Sequence, residues 1–193
     1  YWDTVRPEFK GKTIVSRIPV STSYTLTTLG MQESGFDLFG FWKKLKATDP
    51  VVEARTEPKM QMLIACERGM DMWNMAGRVF QNVKKKPSLA KVLRVGSYKE
   101  GQVMLGNQAA VPKGAPHPNA GKLFLDFLLS KEGADIFVGG EAVYTFREGY
   151  TAPAHVRPYL LDLSKTKLLG LKDWLGASKK VKGIRGKWKN QFK

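Results

Sequence analysis

Two hydrophobic periods alternate along this chain, and that alternation constrains its fold more than any other feature. Short β-rich runs are followed by segments whose apolar residues recur at helical spacing. Thr13 to Ile18 is the first strand-like run, and Pro19 ends it. Ser21-Thr22-Ser23 then precedes a helical stretch from about Tyr24 to Gln32, with Gly35 as its stop. Leu38, Phe41, Trp42 and Leu45 follow the i, i+3, i+4, i+7 pattern of an amphipathic helix, which Asp49-Pro50 breaks. Thr56 reads as the N-cap of the next helix, with Met60, Leu63 and Ile64 as its buried stripe and Gly69 at its C-terminal end. Met70 to Met75 is expected as a strand, Ala76 to Lys85 as a helix, and Lys91 to Gly96 and Gln102 to Val111 as further strands. Strands alternating with helices predict an α/β fold with a mostly parallel central sheet flanked by helices.

The second half is less regular. Val111 to Asn119 is a loop carrying Pro112, Pro116 and Pro118. It feeds a helix whose expected buried face is Ala120, Leu123, Phe124, Phe127 and Leu128. Ser130 can cap a second short helix ending at Gly139-Gly140, and the chain beyond is irregular to about Lys167.

At 193 residues there is room for one domain or two small lobes. No apolar run approaches the roughly 20 residues that cross a bilayer, which excludes a transmembrane helix. Cys66 is the only cysteine, so no intramolecular disulfide forms, and with two distant histidines there is no His/Cys zinc cage. A carboxylate site remains open. The net charge of +15 points to an acidic partner: nucleic acid, a membrane surface or an anionic small molecule. Much of it is local, since Lys179 to Lys193 holds seven basic residues and no acid. Val181, Ile184, Trp188 and Phe192 step by three and four there, the pattern of a basic amphipathic helix. Four regular apolar positions favour a helix docked by its stripe over one that touches nucleic acid or membrane. Beginning at Tyr1 rather than Met, the chain reads as processed or cut from something longer.

Two segments could bind a ligand. Ser21, Thr22 and Ser23 sit where a helix begins, and a helix N-terminus offers free N–H groups and positive dipole charge to a carboxylate or phosphate. Plain N-capping is the competing reading. No Gly-rich run or Gly-Lys-Ser/Thr makes this a P-loop. Trp73-Asn74 lies near the carboxyl end of an expected strand, where open α/β sheets bind ligands. The indole offers a flat wall and the amide both a donor and an acceptor, while a core tryptophan is the competing reading. No Gly-x-Ser-x-Gly elbow is present. His117 falls in a rigid loop between prolines, and His155 has no recognisable partner. Cys66 is expected as a buried structural thiol, and Glu132, Asp135 and Glu141 as solvated charges. An enzyme is therefore not expected, nor a cofactor, nor a metal.

Longer stretches resemble a known family. Tyr1-Trp2-Asp3-Thr4-Val5, followed by Pro7-Glu8-Phe9-Lys10-Gly11-Lys12, resembles a segment of bacterial periplasmic solute-binding proteins, the extracellular family 1 proteins of ABC importers in their iron(III)-type branch. Val111-Pro112-Lys113-Gly114-Ala115-Pro116-His117-Pro118-Asn119-Ala120 is similar to that family's Ala-Val-x-Lys-Gly-Ala-Pro-His-Pro-Asn-Ala run. Phe127-Leu128-Leu129-Ser130-Lys131-Glu132-Gly133 resembles the motif that follows it, and Tyr98-Lys99-Glu100-Gly101 resembles a family turn in which proline is usual.

The resemblance implies a type 2 periplasmic-binding fold, two α/β lobes closing on a ligand, with the first lobe incomplete here. Residues 1–104 would be mostly the second lobe. Residues 105–193 would hold a crossover strand, the return helices of the first lobe and the basic C-terminal helix. The implied function is the substrate-binding component of an ABC import system. It would capture a small anionic solute, a carboxylate or phosphate ester, and present it to a permease in the inner membrane. Such a protein is periplasmic, or extracellular and membrane-associated, and monomeric at full length. Ser21, Thr22 and Ser23 match the loop that holds an anion in this family. Iron-binding members place adjacent tyrosines near Trp73 to Arg78, where this chain has none, which argues against ferric iron. Two alternatives stand beside this reading: a ferric-iron binding protein of the same family, and a basic nucleic-acid-binding module, for which no recognition motif is present.

Overall fold

The computed structural model describes residues 1–193. In chain order its regular elements are β1 (Thr13–Ser16), α1 (Thr22–Glu33), α2 (Leu38–Ala47), β2 (Val51–Glu53), α3 (Thr56–Ile64), β3 (Met70–Met72), α4 (Ala76–Lys85), β4 (Gln102–Val103), α5 (Pro118–Leu129), α6 (Lys131–Glu141), β5 (Leu168–Leu169) and α7 (Ala177–Gln191). The class is α/β, with small parallel sheets flanked by helices. No helix is long and apolar enough to cross a membrane.

The chain forms two compact units. One comprises Tyr1–Asn74, Ser97–Leu105 and Asp162–Lys193, the other Met75–Gly96 and Gly106–Leu161. α7 belongs to the unit built mostly from the first 74 residues.

In the first unit β1 is the central strand of a parallel sheet ordered β2-β1-β3, with Ile14 opposite both Val51 and Asp71. All four residues of β1 are buried, as a strand covered on both faces requires. The core around it gathers Ile18, Leu29, Met31, Leu38, Phe41, Trp42, Leu45 and Met72. α7 docks by its apolar stripe as the heptad-like spacing predicts. Ile184 and Trp188 are buried, Trp188 meets Trp42 edge to face at 5.0 Å, and Phe192 stacks on Trp188 at 3.8 Å. Each large side chain removed from water in this way contributes about 1.5–3 kcal/mol.

The second unit packs α4 and α6 around Phe80, Val138, Ala142 and Val156. Gly77 lets them approach, since a Cβ there would sit 2.1 Å from the Glu141 carbonyl oxygen. Ser130 caps α6 as expected, its hydroxyl accepting from the Gly133 N–H at 3.0 Å.

Several expectations are corrected. Lys91 to Gly96 forms no strand: a 3-10 turn spans Pro87–Lys91 and the rest is irregular, because no neighbouring strand offers a ladder to Val92 and Val95. The strand expected over Gln102 to Val111 shrinks to the two residues that Leu168 and Leu169 pair with. The Met70–Met75 strand stops at Met72, where Trp73 turns into the left-handed region. Thr56 is the first residue inside α3 and not its cap, which falls on Arg55, and the helix ends well before Gly69, at Ala65. Cys66 follows in left-handed conformation and is exposed, so the expected buried thiol is not found. The expected core face of α5 is open: Leu123 is 71% exposed, Phe124 59% and Phe127 38%. α5 packs on α6, which leaves that apolar face uncovered within its unit.

Candidate functional site

The N-terminus of α1 is built by a short path out of the central strand. A 3-10 turn at Ile18–Val20 carries the chain from β1 to Ser21, which takes the extended conformation of an N-cap (φ −123°, ψ 121°). The Ser21 hydroxyl accepts from the Tyr24 N–H at 3.4 Å. The Thr25 hydroxyl ties the turn down, 2.7 Å from the Ser21 carbonyl and 2.9 Å from that of Ile18. Thr22 and Ser23 remain exposed, and their N–H groups, in the first turn, have no helical acceptor. Ser21 is therefore committed to capping, while Thr22 and Ser23 present free donors.

A cation reaches this end of the helix from far along the chain. Arg185, on α7, donates from Nε to the Thr25 hydroxyl at 3.2 Å and from Nη2 to the Thr22 hydroxyl at 3.5 Å. It has no carboxylate within ion-pair distance. A guanidinium at the positive end of a helix dipole is electrostatically unfavourable, so the corner carries uncompensated positive potential.

Beneath it lies a buried polar cluster. Lys59, on α3, is fully buried; its ammonium donates to the Ser16 hydroxyl at 2.8 Å and to the Asp71 carboxylate at 3.2 Å, and lies 5.1 Å from the centre of the Tyr24 ring. Asp71 also accepts from the Asn74 side-chain amide, which lies 3.5 Å from the Met60 sulfur. Burial pushes the Asp71 carboxyl up to about 6, against the opposing pull of Lys59 and of the Asn74 amide. Ser16 and Asp71 stand at the carboxyl end of β1 and in the middle of β3. The cluster thus joins α3, β1 and β3 beneath the first turn of α1.

Of the residues expected at the site, the structure links Asn74 to this cluster; Tyr24, which was not among them, follows Ser23 and has the Lys59 ammonium over its ring. Trp73 goes elsewhere. Its indole is 6% exposed and meets Phe41 edge to face at 6.2 Å, in the core and not as a wall for ligand. Its φ of 62° is uncommon for a bulky residue. Tyr1 and Tyr98 stack at 3.8 Å in the same core, where burial pushes both phenols up, the opposite of what phenolate ligands for ferric iron require. His117 precedes α5 on an exposed loop, and His155 lies 3.3 Å from the Gly139 carbonyl. No group of three or more His, Cys, Asp or Glu side chains is placed to hold a metal ion.

Sequence reasoning missed Lys59, Asp71 and Arg185. A signal for the first two existed. Lys59 stands one turn before Leu63, inside the apolar stripe of its helix, and Asp71 interrupts two methionines in a strand. A lysine and an acid both on buried faces call for each other. Arg185 carried no such mark among its basic neighbours.

No protein-family model matches the chain, and no curated protein and no solved structure matches it.

Proposed function

We propose that the chain is the substrate-binding component of an ABC import system, with the type 2 periplasmic-binding fold, and that it captures a small anionic solute for a permease in the inner membrane. The observation that carries the anionic part is Arg185, a guanidinium without a carboxylate partner, held on Thr22 and Thr25 at the positive end of α1. A carboxylate or phosphate ester bound to the free N–H groups of Thr22 and Ser23 would neutralise helix end and guanidinium together. The α/β class and the motifs of the Val111–Ala120 and Phe127–Gly133 stretches support the same reading. Periplasmic residence and a monomeric full-length protein follow from that resemblance.

Calorimetry of the intact protein with a panel of small carboxylates and phosphate esters tests this. One class should bind, and Arg185→Gln should weaken it roughly tenfold to a hundredfold, the worth of a charge-assisted hydrogen bond of about 1.5–3 kcal/mol. Affinity for duplex DNA that falls steeply with salt, with no small anion bound, would favour the nucleic-acid reading instead.

A further inference from the structure

A second concave feature lies on the same unit, away from the start of α1. The C-terminal half of α1, α2 and α7 border an open surface hollow of about 410 Å³, lined by Leu29, Gln32, Glu33, Phe39, Lys180, Gly183, Ile184 and Lys187. Leu29 lies seven residues beyond Thr22, roughly 10 Å along the helix at 1.5 Å per residue, so this hollow is not the α1 N-terminal corner.

Gly183 has no reason in the packing to be glycine. It sits inside α7, where glycine is the least favourable residue after proline, its φ is ordinary, and a Cβ there would meet nothing within 4 Å. Gly183 is exposed and borders the hollow, so any side chain placed there would project into or beside it. The walls are apolar, from Leu29, Phe39 and Ile184. The rim is charged, and its two lysines differ. Lys180 is neutralised by Glu33 at 2.6 Å and Asp173 at 3.4 Å. Lys187 has no carboxylate; its ammonium rests over the Phe39 ring, 4.1 Å from the centroid. A cation on an aromatic face at the mouth of an apolar hollow complements a molecule with an apolar body and one negative group.

We infer that this hollow binds a small amphipathic anion, an aromatic carboxylate whose ring enters beside Gly183 and whose carboxylate meets Lys187. The inference is independent of the solute proposed for the α1 N-terminus.

Amide NMR titration of the labelled protein with 2-naphthoate, and with neutral 2-naphthamide as control, tests it. Naphthoate should shift Leu29, Phe39, Gly183 and Ile184 saturably. The amide should bind about two- to fivefold more weakly, the range of an exposed ion pair. Lys187→Gln should bring naphthoate down to the level of the amide. Gly183→Met should fill the hollow and abolish binding. Gly183→Ala, which suits a helix better, should keep the fold by circular dichroism and weaken binding. Shifts elsewhere, equal binding of acid and amide, or indifference to Lys187→Gln and Gly183→Ala would overturn the inference. So would self-association of the unliganded protein that Gly183→Met removes, because a second copy would then be the occupant.

Discussion

The Lys59 ammonium lies 3.2 Å from the Asp71 carboxylate, and neither side chain has more than 1% of its surface in solvent. Burying two such groups is costly unless they are paired, and the Ser16 hydroxyl and Asn74 amide satisfy part of what remains.

Removing one partner should be far worse than removing both. Lys59→Ala or Asp71→Ala is expected to cost about 3–5 kcal/mol, because each strands a buried charge. Lys59→Met combined with Asp71→Leu should recover most of that loss. Urea unfolding of the three variants measures it, and additive losses in the double variant would show that the pair is not coupled.

The same carboxyl sets a pH dependence with a definite sign. Its value in the folded chain, about 6, lies above the ordinary 3.8. Between these values the folded chain keeps a proton that the unfolded chain has released. The stability this group contributes is therefore fully present below about pH 4 and lost as pH rises through 6. Melting temperatures of the wild type and of Asp71→Asn, followed from pH 4 to 7, should show the wild type losing ground to the variant as pH rises. A constant gap would mean that Asp71 does not titrate in that window.

Ser21 holds the first turn of α1 through one hydrogen bond to the Tyr24 N–H. Ser21→Ala should lower stability by about 1 kcal/mol, the usual worth of a cap. Ser23→Ala removes no hydrogen bond seen in the fold and should leave the melting temperature unchanged while weakening anion binding. Equal stability losses from both would show that Ser23 has a structural role as well.

The open face of α5 gives a prediction opposite to its sequence pattern. Replacing Leu123 or Phe124 with lysine should change stability by less than about 0.5 kcal/mol, as surface substitutions do, where a core position would lose several times that. Chemical denaturation of the purified variants decides between them.

What was legible in the sequence depended on how local its cause was. β1, α1, α2 and the docked α7 could be read because periodicity, capping serines and breaking prolines lie within the elements themselves. The strands expected at Lys91–Gly96 and Gln102–Val111 could not be settled that way, since β-propensity is realised only beside a partner, and β5 offers just two residues to Gln102 and Val103. α5 shows a further limit: Ala120, Leu123, Phe124 and Phe127 define a face correctly but do not say what covers it. At the site, the hydroxyls of Ser21, Thr22 and Ser23 were visible as a helix start. The left-handed turn at Trp73, which leaves its indole in the core while Asn74 bonds Asp71, follows from no period.

The attachment of α7 has a consequence for how the molecule is assembled. Lys180 grips Glu33 and Arg185 grips Thr22, pairings 147 and 163 residues apart in the chain. Trp42 finishes its packing only when Trp188 arrives. A nascent chain emerging from the ribosome carries the first strands and helices long before the helix that closes them, and its aromatic surface stays open for that interval. Such distant closures slow folding and lengthen exposure to aggregation. Ribosome-bound intermediates of this protein should accordingly resist proteolysis at Thr22–Leu45 only after residue 191 has cleared the exit tunnel.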